Sequence, residues 1–169
     1  LVVVGKGFAR VPRKLFTLIH CPMMKSCHDY AVEYISRYPK TEKELRIKLY
    51  QKGYDSEDVD RTIEVLKKKK FVDDHMFAEM YVRSDVVKKG KPSLALRKKL
   101  EMKGIDVATL NDVFNENQVE MQEGIDAKIK KDIEQYKSKG VEGFDIIQKL
   151  MRKGYKLSDI KKVITSSKT

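Results

Sequence analysis

With 169 residues, 41% of them hydrophobic, the chain is large enough to bury a core, either as one domain or as a short repeat array. Lys+Arg number 36 against 25 Asp+Glu, a formal net charge of +11 that favours polyanionic partners such as nucleic acid or an acidic protein surface. No apolar run approaches a bilayer span, LVVVG at the start is too short for a signal-peptide core, and two cysteines are too few to staple a fold of this size; a cytoplasmic, monomeric protein without membrane contact is expected.

Residues 1–27 read as an N-terminal extension. The chain opens on Leu1, and Met23 and Met24 suit a start, so this part is expected to be of artificial or mis-assigned origin, and no function is placed on it. It holds HCPMMKSCH, where His20, Cys21, Cys27 and His28 are of metal-ligating type. Structural zinc sites draw ligand pairs spaced C-x2-4-C from separate arms, whereas neighbouring ligands here would have to fold back on one another. Free thiols, surface histidines and no metal are expected.

From Tyr30 the pattern is helical throughout. A first helix is expected over Tyr30–Arg37. Thr41 and Glu44 then form a capping box, in which each side chain satisfies an orphan amide at the start of a helix that ends at Gly53. Ser56 suits the N-cap of the next helix. Asp73 suits the N-cap of a helix over Asp74–Val87, with Val72 stapled onto Phe77. Asp73, Asp74 and His75 point different ways at a helix start and read as an acidic first turn, not as a metal or acid–base site. Asp106 suits a further cap, Val119–Tyr136 a long helix with Met121, Ile125, Ile129 and Ile133 one turn apart, and Ser158 a last cap. Tyr30, Tyr34, Tyr81 and Tyr136 are expected to pack half-buried rather than to stack bases.

One phrase occurs three times: LRIKLYQKGY (45–54), LRKKLEMKGI (96–105) and IIQKLMRKGY (146–155), so that Gly53, Gly104 and Gly154 lie 51 and 50 residues apart. Four residues before the glycine stands Leu49, Leu100 or Leu150, and eight before it Leu45, Leu96 or Ile146, one buried face of a helix. Lys52, Lys103 or Lys153 comes last, where the helix dipole favours a cation. The glycine is then the left-handed C-terminal cap, followed by Tyr54, Ile105 or Tyr155 packing back. Val59, Leu110, Ile160 and then Ile63, Phe114, Ile164 line a second helix. A period of this size signifies stacked supersecondary units. The expected fold is all-α: three tandem three-helix repeats over 28–70, 71–117 and 118–169, stacked into an elongated curved array.

No enzyme is expected. Gly5-Lys6-Gly7 lacks the spacing and the Ser/Thr of a phosphate-binding loop, and no nucleophile motif or cofactor signature is present, so catalytic and metal residues are none.

The combination FVDDHMFAEMYVRS and KKGKPSLALRKKLEMKGI resembles the RecX family of bacterial recombination regulators, at Phe71, Val72, Asp73, Asp74, Phe77, Ala78, Arg83, Gly90, Arg97, Leu100, Lys103 and Gly104. The likeness runs over about residues 30–164 and is weaker in the third repeat, where Ile147 stands in place of Arg46 and Arg97. It implies three tandem three-helix repeats and a structural role for Phe71, Asp73, Asp74, Phe77, Ala78, Leu100 and the cap glycines. It also implies a protein that binds the RecA–single-stranded-DNA filament and inhibits its ATPase, strand-exchange and co-protease activities, by blocking growth or promoting disassembly, with single-stranded DNA met weakly or through RecA. Lys88, Lys89, Lys91, Arg97, Lys98, Lys99 and Lys103 lie within sixteen residues that hold one acid, Glu101. With Arg46, Lys48 and Arg83 they are the expected contacts to RecA or DNA phosphate. The alternatives are a direct DNA-binding helical module, although no cluster of base-reading Arg, Asn or Gln stands out, and a helical-repeat adaptor for an acidic protein.

Overall fold

The structure, a computed structural model, describes residues 25–166. Its helices come in three consecutive triplets: α1 (Cys27–Arg37), α2 (Glu42–Gln51) and α3 (Ser56–Lys68); α4 (Asp74–Tyr81), α5 (Ser93–Met102) and α6 (Val107–Glu116); α7 (Gln118–Lys137), α8 (Phe144–Arg152) and α9 (Leu157–Ser166). Among the described residues there is no strand. Of the residues in HCPMMKSCH, Cys27 is buried at the start of α1 and His28 is part-exposed beside Asp29, while His20 and Cys21 lie outside the described residues.

The repeated phrase folds the same way each time. The middle helix of each triplet ends at a glycine with φ of 89°, 93° or 95° (Gly53, Gly104, Gly154). The residue after the glycine donates its N–H to the carbonyl of Leu49, Leu100 or Leu150, while the glycine N–H reaches Tyr50, Glu101 or Met151, a Schellman cap in all three copies. An L side chain is disfavoured at that φ by its own Cβ, which is why glycine recurs. The leucines one turn earlier are fully buried, as are Val59, Leu110 and Ile160. Thr41 and Glu44 form the capping box, and Asp73 and Asp106 accept from Met76 N–H and Thr109 N–H as N-caps.

Five expectations are corrected. Asp55, not Ser56, caps α3, accepting from Asp58 N–H at 2.8 Å, and Ser158 lies within the first turn of α9. The helix expected over 74–87 is α-helical only to Tyr81; Val82–Val87 is π-helical, with Lys88 N–H reaching back to Arg83 O. Val72 does not staple onto Phe77: it packs into the core of the first triplet and Phe77 into that of the second. Phe71, expected to be structural, is 61% exposed: it follows the left-handed turn at Lys70 (φ 60°), and Val72 is the residue that turns inward.

Two cores result. Leu45, Leu49, Val59, Ile63 and Leu66 make one with Ala31 and Val72, confined to the first triplet and its exit. The second and third triplets share the other, from Ala78 and Leu100 through Ile125 and Ile129 to Leu150 and Ile160. Gly124 of α7 makes this fusion close: a Cβ there would overlap the Val87 carbonyl oxygen and stand 2.8 Å from that of Val86.

Candidate partner-binding surface

The middle helices α2, α5 and α8 are joined end to end, in reverse chain order. At the first junction the Thr41 hydroxyl, fully buried, donates to the Lys103 carbonyl at the end of α5 (2.7 Å), and Lys43 reaches Met102 O. Lys103 also pairs with Glu44, and the first N–H of α2, at Glu42, donates to Asp74 Oδ1 at 2.9 Å. Burial pushes the Asp74 carboxyl above the ordinary value despite that hydrogen bond. The second junction repeats the geometry: the Gly154 turn lies against Pro92, which precedes α5, and the buried Tyr155 hydroxyl donates to Gly90 O at 2.9 Å. Thr41 and Pro92 hold the same position, twelve residues before their cap glycines.

Along these helices the lysines five and one residues before each glycine stand over aromatic rings of the triplet's first helix. Lys48 lies 5.8 Å from the Tyr34 ring centre and Lys52 5.3 Å from Tyr30. Lys99 lies 4.9 Å from Tyr81 and Lys103 5.5 Å from Phe77. Lys149 and Lys153 both stand over Tyr136, at 5.4 and 5.0 Å. Each such contact is worth about 0.5–1 kcal/mol where exposed, enough to bias a flexible arm without removing its charge. The tyrosines are half-buried, as expected.

The other expected contacts are placed differently. Arg46 and Arg97, seven before the glycine, are braces within their own triplets: Arg46 binds Glu42 and, across to α3, Asp60, while Arg97 binds Glu101 and Asn111 of α6 and lies over Phe114. Carboxylate partners on both sides hold Arg46 firmly protonated. Lys98 is exposed on α5. Lys89 and Lys91 gather on the buried Asp85, with Lys88 alongside on the surface, so this group forms a second cluster near the π-helical segment. Burial works against ionisation of Asp85, but the two ammonium groups outweigh it and hold its carboxyl below the usual range. Arg83 pairs with Glu79.

An open cleft of about 730 Å³ lies beside the first junction, between Arg46 and Lys67 on one side and Asp73, Asp74 and His75 on the other. Its charges are mixed and mutually paired, as in Lys67–Glu42 and Lys70–Asp73. Among the described residues no three His, Cys, Asp or Glu side chains converge on a metal-sized site, and no helix is long and apolar enough to cross a membrane.

The first three-helix domain of RecX matches residues 27–74, and the second three-helix domain matches residues 73–113. The chain belongs to the RecX family. Regulatory protein RecX of Clostridium acetobutylicum is 35% identical over 96 residues, covering 53% of this chain and 44% of that protein. Regulatory protein RecX of Clostridium tetani is 32% identical over 145 residues, covering 82% of this chain and 65% of that one. The chain thus spans between about half and two thirds of the length of these relatives. The crystal structure of RecX from Lactobacillus salivarius superposes with a TM-score of 0.70 at 23% identity, over 83% of this chain and 93% of that one, a likeness of fold. The Thr41 capping box, the Asp73 cap and the Gly53 and Gly104 turns all fall inside the matched domains.

The sequence singles out Lys99 and Lys103 by local charge density, with Lys48 added from the first repeat; Lys52 and Lys153 read there only as cations at a helix end, and Lys149 does not stand out. The signal was present: lysine at five and at one before the glycine in every copy.

Proposed function

We propose that this chain regulates RecA by binding the RecA–single-stranded-DNA filament and inhibiting its ATP hydrolysis, strand exchange and co-protease activity, through blocked growth or promoted disassembly. The observation that carries the reading is the lysine row on the end-to-end middle helices of a RecX-family array. In it Lys48, Lys99 and Lys149 are held over rings rather than in ion pairs, and so keep their charge available for a polyanion. Lys98 on α5 and the Lys88–Lys91 cluster extend the basic field beside it. The protein acts by contact and not by chemistry of its own.

The test is RecA's single-stranded-DNA-dependent ATP hydrolysis with substoichiometric amounts of this chain, filament length being followed in parallel. Progressive inhibition with loss of filament is expected. Undiminished hydrolysis, together with tight RecA-independent DNA binding, would replace the regulator by a direct DNA-binding module.

A further inference from the structure

The lysine row runs past the second repeat into the third. The Gly154 turn abuts Pro92 as the Gly104 turn abuts Lys43, so the end of α8 meets the start of α5 as the end of α5 meets the start of α2, and Lys149 and Lys153 follow next in the row. We propose that one strand of nucleic acid lies along all three repeats, its phosphates met in turn by Lys149 and Lys153, Lys99 and Lys103, and Lys48 and Lys52. The proposal rests on the reading of this surface as the polyanion-binding one.

Several features favour a phosphate backbone over an acidic protein. Carboxylates are matched best by the planar fork of arginine, yet of the three arginines on these helices Arg46 and Arg97 are spent on partners within their own triplets, and only Arg152, at the end of α8, is exposed. Every other cation of the row is lysine, a point charge on a flexible stem that serves phosphate at any angle. Within each pair the two lysines are four residues apart, about 6 Å along the axis, a step that suits neighbouring phosphates of an extended strand. Lys98 lies exposed outside the row on α5, and the row itself is a single file of lysine pairs. It is shared unequally with the protein's own acids: Lys103 pairs with Glu44 and Lys153 with Asp132, whereas the lysine five before each glycine has only its ring. Backbone contact of this kind carries no sequence preference.

The experiment measures binding of the full chain to a labelled oligothymidylate across a salt series, for the wild type and for Lys48→Gln, Lys99→Gln and Lys149→Gln singly and together. Lys130→Gln and Lys161→Gln, exposed positions on α7 and α9, serve as controls. Circular dichroism checks that each variant is folded, which is expected because none of the three lysines substituted holds an ion pair. Each lysine that meets a phosphate contributes about 0.7 to the slope of log K against log salt on a single strand, so each single variant should flatten the slope by about that amount and the triple by about 2. Lys149→Arg should keep the wild-type slope, and the controls should leave it unchanged. If Lys149→Gln binds like wild type while Lys99→Gln is weakened and flattened, the row ends at the second repeat and the proposal is overturned with the polyanion reading intact. If none of the three variants changes oligonucleotide binding yet all lose RecA inhibition, the row meets acidic protein and the nucleic-acid assignment falls. Equal affinity for a duplex of the same sequence would overturn the single-strand assignment.

Discussion

Asp132 shows how one residue fixes Lys153, at the row's far end, together with Lys128 of α7. It sits one turn before Tyr136, the place that Tyr30 and Phe77 occupy before Tyr34 and Tyr81, and its side chain is 1% exposed. Lys128 binds one carboxylate oxygen at 2.6 Å and Lys153 the other at 2.7 Å. Burial alone would raise its pKa, but the two ammonium groups outweigh that and hold it below the ordinary aspartate value of 3.8. A carboxylate with a depressed folded pKa stabilises the fold fully above its unfolded value, and the contribution is lost as pH falls through the folded one. Asp132→Asn should therefore cost about 1–2 kcal/mol at neutral pH, discounted because both lysines can still reach water. The gap between variant and wild type should close below about pH 3.8, as acid titration of the urea midpoint would show. A gap independent of pH would mean that shape, and not charge, is what Asp132 supplies. Its position, seven after Ile125 and three after Ile129, falls on the apolar stripe of α7, but an aspartate beside Lys130, Lys131 and Glu134 reads as part of the solvated face.

At the scale of the element, what was legible is what is local. The cap glycines, the capping box at Thr41, the Asp73 and Asp106 caps and the apolar stripe of α7 follow from spacing within one or two turns, and they fold as that spacing predicts. The misplaced cap at Ser56 was a slip of one residue between two good capping types. Repeat register decides it, because Asp55 and Asp106 both stand two after their glycines. The π-helical segment was not legible, since Phe77, Ala78, Tyr81, Val82 and Val86 keep a helical stripe whichever hydrogen bonds close the turns. It packs across an interface, where Gly124 admits the Val86 and Val87 carbonyls against α7. In an exposed helix, Gly→Ala stabilises by about 0.5–1 kcal/mol. Gly124→Ala should instead destabilise by about 1–3 kcal/mol, because the added methyl meets backbone that has nowhere to move. Thermal unfolding checks the sign: a rise in Tm would mean that α7 does not pack as closely as described.

Across the whole molecule the junctions differ in kind. The second and third triplets share one apolar core, whereas the first triplet has its own and meets the second mainly through polar groups: the Thr41 hydroxyl, the Glu42 N–H on Asp74 and the Glu44–Lys103 pair. The sequence foretold three repeats from their common phrase, but it could not foretell that two would fuse. That depends on which side chains face across a junction, and the repeat leaves those positions free to vary. Nor did a scan for local charge find the row of lysines, whose members lie about fifty residues apart in the chain and become neighbours only when α8, α5 and α2 line up. The account stands or falls on that row meeting the filament. The most direct measurement is a lysine-acetylation footprint of this chain, free and bound to a RecA–single-stranded-DNA filament. Lys48, Lys99 and Lys149 should be protected on binding while Lys68, Lys130 and Lys161 remain reactive; protection confined to the second set, with the row still open to reagent, would contradict it.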